Sequence, residues 1–190
     1  MDYATLSLAE VQSGLEAVAR EAHATFGNLN VRQLNWRPAD DRWSIAQCFD
    51  HLLTANRQMF QAAEDALDGT TPRTVLQRLP VLPGLMGRAL IRSQAPTTTR
   101  KFTAPPQARP ASSDIAAAVI QAFVEQQSGA VTRLRALDEA QAARVIMVSP
   151  FIKVVAYSVL DGWRLIFAHE RRHFQQARGV ASSTGFPKAV

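Results

Sequence analysis

Two short stretches constrain this chain more than any other local pattern, because each writes a helix start directly ahead of apolar residues spaced by three and four. They are Ser7-Leu8-Ala9-Glu10 and Ser44-Ile45-Ala46-Gln47. In such a box the hydroxyl and the side chain three residues on each satisfy an amide that the first helical turn leaves unpaired. After the first box come Leu8, Val11, Leu15, Val18, Ala22 and Phe26, one face of a helix that Gly27-Asn28 stops. After the second come Ile45, Phe49, Leu52, Met59, Phe60, Ala63 and Leu67, so a second helix runs from Ile45 to about Leu67 and ends at Asp68-Gly69. Ser112, Ser113 and Asp114 offer N-caps for a third, with Ile115, Val119, Phe123, Ala130, Leu134 and Leu137 inward until Asp138-Glu139. A fourth starts near Tyr157 or Ser158 and passes through Leu160, Trp163, Ile166, Phe167, His169, His173 and Phe174 to Gly179.

Between the second and third helices, residues 72 to 110 hold seven of the ten prolines. That density forbids one continuous helix but leaves room for a short one from Leu85 to Ile91. Four amphipathic helices with one long connection describe an all-α fold, a four-helix bundle with a crossover between helices two and three. Residues 1–180 form one domain in this reading, and 181–190 a loose tail. No strand alternation competes with it.

Composition excludes several classes. At 47% hydrophobic and 19% charged residues the chain is too apolar for disorder, and no run reaches the length of a membrane span. Asp2 stands where a signal peptide carries basic residues, and one cysteine, Cys48, makes no internal disulfide. A cytoplasmic location is expected. The net charge of +5 invites nucleic acid as a partner, yet the excess is local. Residues 69 to 113 contain no acid but hold Arg73, Arg78, Arg88, Arg92, Arg100, Lys101 and Arg109. Neither a groove-reading helix nor an aromatic-basic face accompanies them, so no nucleic-acid partner is expected. In one reading the connector packs Val75, Leu76, Leu79, Val81 and Leu82 over one end of the bundle. In the other it closes over a site and presents Arg88 or Arg92 to an acidic co-substrate.

The chemistry concentrates in the last helix. His169 and His173 lie four apart, so both imidazoles leave one face a turn apart, a spacing that suits one metal ion. The string His169-Glu170-Arg171-Arg172-His173 also spells a zinc-protease motif with Glu170 as general base. Such proteases take a third ligand downstream, and residues 174 to 190 contain no His, Asp or Glu. A third ligand therefore comes from upstream. His51, inside helix two, is the better candidate, and His23, near the end of helix one, is the other. Glu170 then reads as a group behind the ligands or a wall residue, and Gln47 and Gln176 as donors behind them. Cys48 and Trp163 read as packing, Trp43 as packing over the start of helix two, and Asp50 as a surface or neighbouring-helix contact.

Trp43-Ser44-Ile45-Ala46, then Asp50-His51-Leu52, then His169-Glu170-x-x-His173-x-x-Gln176 resemble the DinB/YfiT-like superfamily over roughly residues 5 to 180. The order of the pieces is similar too, with Asn35-Trp36-Arg37-Pro38 before the Trp-Ser pair. The resemblance implies a four-helix bundle with a long crossover and a metal triad of His51, His169 and His173. It also implies a bacterial metal-dependent enzyme, first a thiol-dependent S-transferase using a low-molecular-weight thiol or a related hydrolase, and in assembly a homodimer. Three neutral imidazoles leave a divalent ion such as zinc or nickel an incomplete shell, open to a small-molecule substrate. The alternative is a non-catalytic metal-binding or stress-response bundle whose ion is closed by a fourth ligand from His23, Glu170 or Cys48.

Overall fold

Both boxes form as read in the computed structural model of the chain, which describes residues 1–72, 74, 77, 81–98, 103–111 and 114–188. Ser7 Oγ accepts from the Glu10 amide at 3.3 Å while Glu10 Oε2 accepts from the Ser7 amide at 2.7 Å, and helix α1 runs Leu8–Phe26. Ser44 and Gln47 exchange the same pair of bonds at 3.1 and 3.0 Å ahead of Ile45–Leu67. Between them lies a short helix absent from the sequence reading, α2, Val31–Asn35, opened by a third box of Asn30 and Gln33. Ile45–Leu67 is therefore α3. Chain order then gives α4 Leu82–Gln94, α5 Val119–Arg135, α6 Glu139–Arg144 and α7 Val159–Ala181. A hairpin of β1, Ile146–Val148, and β2, Ala156–Ser158, precedes α7 with Met147 opposite Tyr157. Its three-residue strands are too short to write a two-residue alternation.

The fold is all-α apart from that hairpin. Helix α1 packs on α5 and α7, and α3 packs on α7 and α5, so each long helix has two long neighbours around a shared core. The inward residues read on α1 are all buried. On α3 the same is true except for Leu67, which is half-buried. Helix α7 is covered on most of its circumference, because α1, α3, α4 and the hairpin all reach it. Trp163 lies in the core at 2% exposure, stacked on Phe60 with centroids 5.2 Å apart.

Three expectations about boundaries are corrected. Helix α5 starts at Val119 rather than beside Asp114, whose φ of 58° turns the chain instead of capping it. The Ile115 backbone N–H donates to Asn35 Oδ1 at 3.0 Å and its carbonyl accepts from Asn35 Nδ2 at 2.8 Å, so the groups a helix would use are already engaged. Ser112 and Ser113, the other caps considered, lie outside the described residues. In the crossover, the short helix is longer than read, Leu82–Gln94, with Pro83 in its first turn where proline removes no needed donor. Of the connector residues read as packing over one end, Val81 is 66% exposed and Leu82 half-buried. Val75, Leu76 and Leu79 lie outside the described residues. Helix α4 reaches α7 so closely that a Cβ on Gly87 would sit 2.6 Å from Asp161 Oδ2. Finally, α7 passes Gly179 to end at Ala181, and the residues after it are held as far as Pro187. Phe186 meets Trp36 edge to face at 5.6 Å and the buried Pro187 carbonyl accepts from Gln33 Nε2 at 3.0 Å.

Candidate metal centre

The pair at His169 and His173 meets its partner because α3 and α7 run antiparallel. Residue 60 lies beside 163, 56 beside 170, and 51 beside 169 and 173. One potential ligand atom from each of His51, His169 and His173 lies within 4.8 Å of the others. The ring centroids are 5.0, 4.7 and 4.5 Å apart. His51 and His173 are buried, and His169 keeps partial exposure. Among the described residues no thiol or carboxylate joins the group, and the residues outside the description include no His, Cys, Asp or Glu.

His51 Nδ1 forms a short hydrogen bond with the Ala108 carbonyl. A carbonyl only accepts, so Nδ1 carries the proton and Nε2 presents its lone pair, the arrangement that holds a metal-ligating imidazole in place. His51 Nε2 and His169 Nε2 stand 3.2 Å apart. Two nitrogens on one tetrahedral zinc ion, each about 2.05 Å from it, are separated by about 3.3 Å. His173 Nδ1 is buried with no hydrogen-bond partner, an omission native structures rarely leave unless something else binds there. These residues fit a divalent ion.

Their protonation fits as well. Burial pushes His51 below the usual imidazole range, with the Ala108 carbonyl and Asp50 pulling the other way. Burial lowers His169 to about 3, helped by His51 and Arg172. It takes His173 well down too, with His169 and His51 adding to the shift. All three are neutral near pH 7, the state in which imidazole binds metal.

The crossover supplies the roof. Helix α3 holds its residues 107–111 by four side chains: Gln58 Nε2 donates to the Gln107 carbonyl at 3.0 Å, His51 bonds Ala108, Gln47 Nε2 donates to the Ala111 carbonyl at 3.1 Å, and Asp50 Oδ2 accepts from the Ala111 amide at 2.8 Å. Below this roof a cavity of about 720 Å³ opens onto the triad. Trp43 borders it, 5.0 Å from the His51 ring and stacked on His173 at 5.6 Å, so it covers the imidazoles rather than serving only as core. Arg172 lines the cavity with Nη1 donating to the Ser93 carbonyl at 3.0 Å, and Gln176 lies one turn beyond His173.

Several readings of single residues change. Gln47 caps α3 and grips the Ala111 carbonyl of the roof, and it does not line the cavity. Glu170 is fully buried and turned into the bundle, where its Oε1 accepts from Asn56 Nδ2 at 2.7 Å and Gln127 Nε2 at 3.0 Å. It is neither a wall residue nor placed as a protease base. Burial raises it to about 8, against those two amide bonds. Arg88 is exposed and away from the cavity, and Arg92 reaches Asp2 at 3.3 Å on the surface. Among the described residues, the arginines that border the cavity are Arg42 and Arg172. Arg172 had a signal in the sequence, since it follows His169 by three and shares its face. His23 is exposed and outside the cluster. Cys48 is fully buried, and burial raises its thiol pKa, so it is inert packing.

Compared with known proteins, the chain matches the family model described as DinB superfamily over residues 14–177. No curated protein and no solved structure matches it.

Proposed function

The chain belongs to the DinB superfamily, and from that premise we propose that it is a metal-dependent enzyme in which His51, His169 and His173 hold a zinc or nickel ion and a low-molecular-weight thiol is the nucleophile. The observation that carries the reading is the triad itself: three imidazoles converge at the wall of a 720 Å³ cavity, and no acidic ligand closes the set. An ion there lowers the pKa of a thiol or water that reaches it, because the anion meets positive charge that no ligand has neutralised.

The chain's own groups extend that logic. Neutral ligands leave the centre with its full positive charge, and Arg172 adds a guanidinium to the same cavity, so the site favours anionic nucleophiles. Trp43 and the roof at Ala108 restrict water around the imidazoles, which strengthens each electrostatic contact made below them. The bond to Ala108 fixes the tautomer of His51 and the orientation of its ring. S-transfer from a thiol ranks ahead of hydrolysis because a thiol is the softer and more acidic nucleophile for such an ion.

The non-catalytic reading requires a fourth protein ligand. The three groups considered for that role, His23, Glu170 and Cys48, all lie outside the cluster, which favours an open site. Metal content by mass spectrometry, with cobalt substitution to follow thiol binding, tests the proposal. The expected result is near-stoichiometric metal in the wild type, lost in His51→Ala, His169→Ala and His173→Ala, and a sulfur-to-cobalt absorption band on adding a small thiol. Metal retained without His51 refutes the triad. Bound cobalt that ignores every thiol refutes the nucleophile.

A further inference from the structure

The cavity does not end at the triad. Its α7 wall runs from Leu165 to Val180, about 22 Å at 1.5 Å per residue, with His169 and His173 in the middle. The two ends differ in character. Toward the C-terminal end of α7 the lining gains polar groups, Asp41, Arg42, Gln176 and Ser183, beside Pro38, Gly179 and Val180. One turn to the N-terminal side of His169 it becomes apolar, where Leu165 and Ile166 face Met59 of α3, Leu90 of α4 and the hairpin turn at Phe151 and Ile152.

Among the described residues, the polar side chains around this end have partners of their own: on α4, Ser93 Oγ donates to the Leu90 carbonyl at 2.7 Å and accepts from Gln94 Nε2 at 3.4 Å. Asn56 donates to Gln126 and Glu170. Ser149 Oγ accepts from the amides of Phe151 and Ile152 at 3.3 and 3.1 Å, capping the turn. A ligand entering here finds little to hydrogen-bond with and much to cover. Ile152 is 44% exposed, an apolar side chain left open beside a cavity of the size that buries a drug-sized ligand.

Resting on the metal reading above, we infer that one substrate of this site is an amphiphile. Its anionic or metal-binding head lies at the triad beside Arg172, and an apolar ring or short alkyl chain fills the lobe formed by Met59, Leu90, Phe151, Ile152, Leu165 and Ile166. The polar end is left for the second reactant. The order along α7 sets the polarity of binding: a tail directed the other way would bury hydrocarbon against Arg42 and Gln176.

A homologous series of n-alkyl hydroxamates, from aceto- to hexanohydroxamate, tests this by calorimetry on the zinc-loaded protein. Each buried methylene is worth about 0.8 kcal/mol, so affinity rises about fourfold per carbon, about 250-fold across the four added methylenes. Ile152→Glu and Leu90→Gln, at two different walls of the lobe, are expected to flatten the series, with acetohydroxamate as the internal reference because it has no chain. A total gain under about threefold in the wild type, with acetohydroxamate still bound, overturns the lobe and leaves the metal reading standing. Zinc-loaded protein that binds no hydroxamate at all overturns the open site, and this inference with it.

Discussion

Replacing Glu170 by glutamine separates a buried acid from its charge without changing its shape. Glu170 is 0% exposed, and its carboxyl pKa stands at about 8 instead of the ordinary 4.5. A folded-state pKa above the unfolded value means that the native protein binds the proton more tightly. The stabilising contribution is present below pH 4.5 and is lost as pH rises toward 8. At about 1.4 kcal/mol per pH unit, the wild type loses roughly 3 kcal/mol between pH 5 and pH 8 through this group alone. Glutamine retains a carbonyl for the Asn56 and Gln127 donors, and the buried Gln127 Oε1, which has no partner, is an acceptor in the same cluster. The metal-free variant should therefore match the wild type near pH 5 and exceed it increasingly at higher pH. At about 2–4 °C per kcal/mol for a chain of this size, the Tm gap opens by roughly 6–12 °C. The histidines, whose lowered pKa values favour the folded state as pH rises through the acid range, are common to both proteins and cancel in the difference. Urea denaturation of both metal-free proteins from pH 5 to pH 9 measures the gap. A gap that stays constant, or closes as pH rises, refutes a carboxyl held neutral by burial.

Three further outcomes are expected. Asn35→Ala removes both clamps on Ile115, at 3.0 and 2.8 Å, and should destabilise the fold by about 1–2 kcal/mol while speeding hydrogen exchange at Ile115; unchanged exchange there would show that the turn holds itself. Nickel binding should quench tryptophan fluorescence, because Trp43 stacks on His173 at 5.6 Å, and Trp43→Phe should abolish most of the change, whereas equal quenching in the variant would place the ion elsewhere. Gly14→Ala puts a Cβ 2.3–2.7 Å from the buried Phe167 ring, so overpacking of about 1–3 kcal/mol should outweigh the helix-propensity gain of about 1 kcal/mol. A stabilised Gly14→Ala variant in urea denaturation would mean that Phe167 moves aside at no cost.

What could be read locally was read from bonds that close within a few residues. Ser7 with Glu10, and Ser44 with Gln47, satisfy helix-start amides by themselves, and the apolar faces of α1 and α3 follow from spacing alone. The box at Asn30 and Gln33 was equally local, but it opens only five residues, too few for a periodic stripe to mark a helix. His169 and His173 share a face wherever α7 lies. The triad is different in kind. His51 is 118 residues from His169, and only the antiparallel packing of α3 on α7 joins them. The same holds for Asn35, which delays α5 by binding a residue 80 positions away, and for the roof, where Ala108 lends a carbonyl that has no sequence signature. Of the connector's seven cations the structure describes Arg88, Arg92 and Arg109, none of which borders the cavity, whereas Arg42 and Arg172, from outside the connector, do. Spacing and capping determine helices because their hydrogen bonds are internal. The centre, its roof and its cavity arise where those helices bury one another, and that is settled only by which faces meet.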